Sequence, residues 1–210
     1  MSFVTASGYS VAKTKFDLPG FGVGHALVDI PVTDAPFSVN ETVDLVIDDN
    51  TWSMTCARAE KINGATYRCK LVQGKNKMNT VLNPKQYRNA RLSFVLSEAF
   101  KAAGEDQLEF SGTDENIDFV RFSVPAHQTV AGLQMLYPDL RFYFNQSGKP
   151  VMTNEITETV ELEVTSDESD TYVCYLNQSA IPGMSSNIGV IDRVQHLITA
   201  EHLQSKVWVL

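Results

Sequence analysis

Two helical patterns between residues 91 and 152 constrain the fold of this chain more than any other feature, because the sequence around them alternates like β-sheet. In RLSFVLSEAFKAAG, apolar side chains recur every three or four positions, and Gly104 follows where a helix end favours the left-handed conformation. We therefore predict an amphipathic helix of about three turns. Its predicted core-facing side chains are Leu92, Val95, Leu96, Ala99, Phe100 and Ala103.

The second helical pattern runs from Gln128 to Tyr137, with Thr129 as its predicted N-cap and Pro138 ending it. Its predicted inward side chains are Val130, Leu133, Leu136 and Tyr137. The segment VRFSVP before this helix predicts a strand that ends at Pro125.

An acidic stretch from Glu105 to Asp118 separates the two helical patterns, and we predict loop or irregular structure for it. After the second helix, RFYFNQSGKPVM predicts a hairpin that turns at Ser147-Gly148. The whole segment is a compact α+β module without a pattern typical of catalysis.

Short alternating segments separated by turn residues fill the rest of the chain. Before the module they are HALVDIPV, TVDLVIDD, TWSMTCARAEK and ATYRCKLVQG, until Pro84 and Asn89 interrupt the pattern. Asn63-Gly64, between the last two segments, predicts a hairpin with a type I′ turn. After the module, TETVELEVT, TYVCYL, IGVIDRVQHLI and HLQSKVWVL predict strands, with SAIPGMSSN as a loop.

We therefore predict a mainly β fold with a small α+β insertion. Residues 1–85 are the N-terminal β part, residues 86–153 are the insertion with two short helices and a hairpin, and residues 154–210 are the C-terminal β part. The C-terminal part either completes the sheet of the N-terminal part or forms a second one.

A net charge of −8 argues against tight, sequence-independent binding to nucleic-acid phosphates. The local basic cluster is predicted to be a solvated or subunit-contacting surface. It consists of Lys70, Lys75, Lys77, Lys85, Arg88 and Arg91. Apolar runs shorter than a membrane span, and an N-terminus without an apolar core segment, predict neither membrane insertion nor export.

Cys56, Cys69 and Cys174 form no CxxC pair, so we predict reduced thiols packed in the core. The sequons at Asn40, Asn145 and Asn177 would indicate N-glycosylation only in an exported protein, and we predict no export.

The glycine-rich segment LPGFGVGH is followed by a strand pattern, whereas a nucleotide loop requires a helix there. We predict a bent strand or a flexible loop at Gly20, Gly22 and Gly24. Gly74-Lys75 lacks the upstream glycine and the adjacent hydroxyl residue of a P-loop, and it predicts a turn.

The four histidines lack the spacing of a metal site on a helix or strand. We predict partial exposure for His127, just before the second helix, and sheet-surface or interface positions for His25, His196 and His202.

Four glutamates raise the possibility of paired glycosidase carboxylates, but their alternation with Val160, Leu162 and Val164 predicts a solvated sheet face. They are Glu155, Glu158, Glu161 and Glu163. A nucleophile elbow of the G-x-S-x-G type does not occur. We predict no catalytic, cofactor-binding or metal-binding residue and no cofactor.

The order of segments resembles the baseplate hub, or tail-tip hub, proteins of tailed bacteriophages and, more distantly, the hubs of contractile tails and type VI secretion spikes. The similar segments are NPKQYRNARLSFVLSEAFKAAGE, VPAHQTVAGLQML, RFYFNQSGKPVM and GVIDRVQHLITAEHLQSKVWV, about half of the chain. In the last, the similar positions are Val194, His196, Thr199, Leu203, Val207 and Trp208. The hairpin departs from the family, which often has Trp-Arg where this chain has Phe142-Tyr143.

This resemblance implies a non-enzymatic structural virion protein with one or two tube-like antiparallel β-barrels. It implies a homotrimeric hub that joins the tail tube and the distal tail ring to a central spike or fibre protein and forms part of the DNA-ejection conduit. The implied partners are the distal tail protein, the tape measure protein and the spike or fibre protein, in a virion assembled in the bacterial cytoplasm.

The negative net charge has two interpretations. It would repel DNA inside a conduit, or it is simply the mild acidity that most soluble proteins have. The alternatives are another tail component, such as a distal tail protein, a terminator or a fibre adaptor, and a tail-associated cell-wall hydrolase.

Overall fold

The fold is dominated by one large sheet to which both ends of the chain contribute. The computed structural model describes residues 4–154 and 158–210. The N-terminal strands of the large sheet are β1 (Val4–Ala6), β2 (Tyr9–Ser10), β3 (Lys13–Leu18), β4 (His25–Ile30), β5 (Thr42–Ile47), β6 (Asn50–Asn63) and β7 (Thr66–Gln73). Its C-terminal strands are β13 (Thr159–Val160), β14 (Val164–Glu168), β15 (Thr171–Tyr175), β16 (Ser185–Ser186), β17 (Gly189–Ile198) and β18 (Leu203–Val209).

The two ends of the chain meet where β17 pairs antiparallel with β3, placing Val194 opposite Leu18. The main path of the sheet is β14-β15-β18-β17-β3-β4-β7-β6-β5-β1-β2. This confirms the mainly β prediction. Among the described residues the path has two free ends, so its hydrogen bonds do not form the closed barrel that the family resemblance implied. The domain boundaries at residues 85 and 153 stay a prediction.

The large sheet curls around one apolar core. Phe16 on β3 and Trp52 on β6 contact each other edge to face with ring centroids 5.1 Å apart, although β4 and β7 lie between their strands. Such a contact across two intervening strands requires strong curvature, which the right-handed twist of sheets supplies. The core extends into the C-terminal part through Leu162, Cys174 and Val207.

The α+β module between β7 and β13 has its own apolar core. It contains β8 (Lys85–Arg91), α1 (Leu92–Ala103), β9 (Glu109–Ser111), β10 (Asn116–Arg121), α2 (Ala126–Leu136), β11 (Arg141–Phe144) and β12 (Pro150–Thr153). β8 pairs antiparallel with β10, and β12 lies between β11 and β9. Both helices, β8 and the β11–β12 sheet contribute side chains to this second core.

Helix α1 confirms the sequence prediction in detail, because its buried side chains are the six that the periodicity indicated. Gly104 ends the helix with φ of 92°, the left-handed conformation that glycine adopts at low cost. At the other end, Asp114 caps the helix from a distant loop: its carboxylate accepts the Ser93 N–H at 2.9 Å and the Ser93 hydroxyl at 2.8 Å.

Helix α2 begins earlier than predicted, and the roles predicted for Thr129 and Leu136 were wrong. The carbonyls of Met78 and Thr80 accept the N–H groups of His127 and Ala126 at 3.0 Å, so a neighbouring loop caps the helix and Thr129 does not. Thr129 is instead buried inside the helix, and Leu136, predicted inward, is 66% exposed. His127 lies within the helix rather than before it.

The acidic stretch is more regular than predicted, since it contains β9 and the beginning of β10. β9 forms because it pairs in parallel with β12, a long-range partner that local sequence does not reveal. The following strand ends at Arg121 rather than at Pro125. β8 lies where Pro84 and Asn89 suggested an interruption, and Asn89 adopts φ of 47° at a bulge opposite β10.

The β6–β7 and β11–β12 hairpins confirm the predicted strand pairs, but the first turn differs from its prediction. Its tip is Gly64-Ala65, and neither Asn63 nor Gly64 has a positive φ, so the type I′ assignment was wrong. The Asn63 side chain accepts the Ala65 N–H at 2.9 Å and closes the turn locally. TETVELEVT also forms less strand than predicted, because residues 161–163 separate β13 from β14.

Neither α1 nor α2, the helices of the described ranges, has the length and apolarity needed to cross a membrane.

Replacing Asp114 with alanine is expected to lower the free energy of unfolding by about 1–2 kcal/mol, because the first turn of α1 loses its cap. Urea unfolding at pH 7 measures this effect. Burial alone raises the pKa of Asp114, but the hydrogen bonds from Ser93 and Arg91 outweigh it and leave the pKa lowered. The loss of unfolding free energy in the variant is therefore fully present above about pH 4. It becomes smaller as the pH falls through the pKa of Asp114 in the folded protein.

The matched control is Asp139→Ala, since Asp139 is an exposed carboxylate in the loop after α2. Its expected effect is below about 0.5 kcal/mol. Equal stabilities of the two variants would contradict the capping role of Asp114.

Candidate functional site

The junction between the large sheet and the α+β module is organised by one buried amide. Gln73, at the end of β7, is 2% exposed. Its Oε1 accepts the Gly24 N–H at 3.0 Å, and its Nε2 donates to the Phe144 carbonyl at 3.0 Å. A single side chain therefore links the loop after β3 to strand β11 of the module.

The glycine-rich segment is a loop between β3 and β4, one of the two structures predicted from the sequence, and it is a packed part of the same junction. The Gly22 N–H donates to the Phe142 carbonyl at 3.1 Å, and the Phe21 and Phe142 rings contact each other at 5.5 Å. A side chain at Gly24 would meet Gln73 Oε1 at 2.3 Å, so the close approach itself requires glycine. The backbone N–H groups of Gly22 and Gly24 are thus used inside the protein.

The turn predicted at Gly74-Lys75 is confirmed and is fixed by a buried carboxylate from the module. Gly74 has φ of 69°. Glu105, 7% exposed, accepts the N–H groups of Lys75 at 2.7 Å and Lys77 at 2.6 Å. On the sheet side, the Thr55 hydroxyl donates to the Gly74 carbonyl at 2.6 Å. These bonds provide a second polar link across the junction.

A groove of about 660 Å³ opens beside the junction. It is lined by the start of β6, the β11–β12 hairpin and the loop around residues 179–184. Arg141 and Tyr143, two positions apart on β11, both line the groove. Arg141 is 3.5 Å from Asp192, and the pKa of Tyr143 is raised by burial, by Glu158 and by Glu109. The lining mixes apolar and hydrogen-bonding groups, a composition found in ligand-binding grooves.

The outer face of the large sheet carries a second polar arrangement, centred on Asp17. Arg193 Nε donates to Asp17 Oδ1 at 2.8 Å, Arg193 Nη2 pairs with Oδ2, and Gln195 Nε2 reaches the same oxygen at 3.1 Å. The Arg193 guanidinium lies 4.7 Å from the centre of the Trp208 ring. Burial alone raises the pKa of Asp17, but Arg193 and Gln195 outweigh it and lower the pKa.

His25 lies opposite Asp17 on β4 and is half-buried. Burial lowers its pKa, Asp17 partly counteracts this effect, and Lys70, Arg193 and Lys15 lower the pKa further. The imidazole is therefore a neutral group among cations at pH 7. Its position on the sheet surface confirms the prediction for His25.

His196 is 1% exposed in the apolar core, so its predicted surface or interface position was wrong. Burial lowers its pKa to about 4. Its Nδ1 lies 2.9 Å from the Ser205 hydroxyl, on the adjacent strand, and that hydroxyl accepts the Asn177 N–H at 3.0 Å. This serine and histidine are enclosed by the core and are not accessible to a substrate.

The other candidates are dispersed. The three cysteines are free and buried, as predicted. His127 on α2 and His202 in the turn between β17 and β18 are both exposed. Glu158, Glu161 and Glu163 are exposed, as predicted for a solvated surface, and Glu155 lies outside the described residues. Within residues 4–154 and 158–210, no three His, Cys, Asp or Glu side chains group as metal ligands.

Comparisons with solved structures identify the fold. The chain superposes over 98% of its length on a component of the Escherichia coli type VI secretion system, at TM-score 0.73 and 8% identity, covering 75% of that protein. That protein is itself structurally similar to two tail proteins of bacteriophage T4. No protein-family model and no curated protein sequence matches the chain.

Two tail proteins share the same fold. A Neisseria meningitidis tail protein gives a TM-score of 0.69 at 8% identity, with 98% of this chain and 95% of that one covered. The 43 kDa tail protein of a Shewanella oneidensis prophage gives 0.70 at 10% identity, with 100% and 96% covered. At these identities the similarity establishes the fold, and it confirms the resemblance that the order of sequence segments indicated.

Sequence reasoning missed Gln73, Asp17 and Arg193. Gln73 lies at the end of an alternating strand and carries no local signal of its bridging role. Asp17 and Arg193 are 176 positions apart, and the pairing of β3 with β17 brings them together.

Replacing Gln73 with leucine is expected to lower the free energy of unfolding by about 2–5 kcal/mol, because it leaves a buried N–H and a buried carbonyl without partners. Gln73→Glu keeps the shape but places a carboxylate oxygen against the Phe144 carbonyl, so it is expected to destabilise as well. Urea unfolding measures both effects. Gln128→Leu, on an exposed part of α2, is the control, and equal stabilities of the two leucine variants would exclude the bridging role.

The burial of His196 predicts a loss of stability in acid. The unfolded imidazole binds a proton below about pH 6.5, whereas the folded one does so near pH 4, so the free energy of unfolding falls as the pH drops through this window. The expected contribution is up to about 3 kcal/mol. His196→Gln should reduce the difference in stability between pH 7 and pH 4.5, and the exposed control His202→Gln should leave it unchanged.

Proposed function

We propose that the chain is a structural component of a phage tail or of a related contractile apparatus. The observation that carries this proposal is the similarity over nearly the whole chain to two tail proteins and a secretion-system component, at TM-scores of 0.69 to 0.73. The similarity includes the curled sheet and the module docked on it, so it extends beyond one common motif.

Within this class, we assign the chain the role of the hub at the tail tip or baseplate. The support is the ordered set of segments from NPKQYRNARLSF to SKVWV, which the structure uses as α1, α2, the β11–β12 hairpin and the terminal strand pair. In this role three copies surround the tail axis. They join the tail tube and the distal tail ring to a spike or fibre protein, and the tape measure protein and DNA pass through their centre.

The proposed role is geometric and not catalytic. The described residues offer buried polar links at the junction and an open groove for a partner segment, while the Ser205 and His196 pair is enclosed by the core. Purified protein is therefore expected to give no clearing in a cell-wall zymogram, and reproducible clearing would favour the hydrolase alternative.

The location of the protein in assembled particles tests the role. A gold-labelled tag on the chain is expected to mark the tail tip, and quantitative mass spectrometry of purified particles is expected to give three copies per tail. A label along the tube, at the head-proximal end or on the fibres would exclude the hub. Absence from purified particles would exclude the whole proposal.

A further inference from the structure

The groove beside the junction contains two donor side chains that make no hydrogen bond within the described protein. The Arg141 side chain is only 18% exposed, and its one contact with a charged or polar group of residues 4–154 and 158–210 is the ion pair with Asp192 at 3.5 Å. The hydroxyl of half-buried Tyr143 has no hydrogen-bond partner in the same ranges. Largely buried donors normally have acceptors, so these two donors indicate acceptors supplied from outside the chain.

The two donors have the spacing of an extended main chain. Arg141 and Tyr143 are two positions apart on β11 and both line the groove, so they lie roughly 7 Å apart along the strand. In an extended peptide, the carbonyls that point to one side also recur every second residue, at the same spacing. A peptide that runs along β11 can therefore present one carbonyl to each donor.

The backbone that carries these donors is fixed on its other side. Phe142 and Phe144, the alternate residues of β11, are each 1% exposed in the core of the α+β module. Their carbonyls accept the Gly22 N–H at 3.1 Å and the Gln73 Nε2 at 3.0 Å. A ligand therefore meets donors on an ordered strand, which reduces the entropy lost on binding.

The loop that completes the groove contributes apolar contact area. Ile181, Pro182 and Met184 all line the groove. Two backbone hydrogen bonds hold this loop on β17: the Gly183 N–H donates to the Ile191 carbonyl at 2.8 Å, and the Ile191 N–H donates to the Met184 carbonyl at 2.9 Å. The side chains of a bound segment can bury apolar surface against this loop while its main chain meets β11.

The charges around the donors disfavour an acidic ligand. Asp192 already lies 3.5 Å from Arg141, and Glu158 lines the groove. Burial, Glu158 and Glu109 raise the pKa of Tyr143, so its hydroxyl remains a donor at neutral pH. A ligand carboxylate would be repelled by these acidic groups, whereas an uncharged amide carbonyl can accept from Arg141 beside Asp192.

We propose that the groove binds an extended, non-acidic segment of another protein, whose main-chain carbonyls two residues apart accept hydrogen bonds from Arg141 and Tyr143. The segment runs along β11 and places side chains against Ile181 and Met184. This inference deepens the proposed function, on which the origin of the segment in another protein of the tail or contractile apparatus rests.

Photo-crosslinking in purified particles identifies the segment. The crosslinking amino acid p-benzoylphenylalanine replaces Ser179, an exposed residue of the groove, or Gln128, an exposed residue of α2 outside the groove. Mass spectrometry is expected to find crosslinks from the Ser179 site to one continuous segment of a different protein, and no crosslink to that segment from the Gln128 site.

The crosslinking result separates the groove from the tail role. A chain that marks the tail tip in the labelled-particle experiment but gives no such crosslink, or crosslinks only to copies of itself, keeps the proposed function and loses the inference. A chain that is absent from purified particles loses both.

The crosslinked segment, made as a synthetic peptide, then tests recognition of its main chain by calorimetry. Tyr143→Phe removes only the hydroxyl and is expected to weaken binding by about 3- to 10-fold, and Arg141→Leu by about 10- to 100-fold. Replacing a peptide carbonyl with a thiocarbonyl, a weaker acceptor, is expected to weaken binding at two positions two residues apart. Each of these effects is expected to disappear in the variant that lacks the matching donor.

Arg88→Leu and Tyr175→Phe are the matched controls, because both residues are exposed and lie outside the groove lining. Both variants are expected to bind the peptide like the wild type. Circular dichroism checks that every variant is folded. If Arg141→Leu is misfolded, Arg141→Lys replaces it, since lysine keeps the charge beside Asp192 but loses the fork of the guanidinium.

Three results would overturn the inference. The first is an unchanged affinity of the peptide for both Tyr143→Phe and Arg141→Leu. The second is a set of thiocarbonyl effects that persist in both variants, which would place the main chain elsewhere. The third is binding of a soluble oligosaccharide, tested with chitotetraose, that depends on Arg141 and Tyr143 while the peptide does not bind, which would assign the groove to carbohydrate.

Discussion

The junction between the curled sheet and the α+β module depends on the side chain of Gln73. One amide satisfies a backbone donor from the loop after β3 and a backbone acceptor from β11, and both would otherwise be buried without partners. Glu105 and the Gly74–Lys77 turn add a second link across the same boundary. Because these bonds are short and directional, they fix the orientation of two apolar cores that contact alone would leave free to slide.

The curvature of the sheet has a related consequence. Bringing β3 close to β6 encloses the apolar core, and it leaves Lys15, His25, Lys70 and Arg193 on the outer face of the sheet. There Asp17 and Arg193 form a paired, partly buried unit beside Lys15 and His25. In a protein whose proposed role is to hold partners around an axis, the charge distribution of an outer face influences which surfaces meet and in which orientation.

The likeness to tail proteins at 8 to 10% identity shows how little of such a fold is held by particular side chains. What recurs is the fold, and many sequences can satisfy the apolar pattern that a given fold requires. In this chain the junction is completed by the polar links of Gln73 and Glu105.

The sequence by itself determined the elements whose stability is local. Apolar spacing identified α1 and its six buried side chains, alternation identified β4 to β7 and the closing pair β17–β18, and turn residues located the hairpins. Tertiary structure decided everything that depends on a distant partner. Asp114 rather than a neighbouring residue caps α1, loop carbonyls displace Thr129 as the cap of α2, and strand pairing buries His196. Local sequence carries periodicity, but it does not carry the identity of a hydrogen-bond or strand partner many positions away, and those partners define the junction and the outer face of the large sheet.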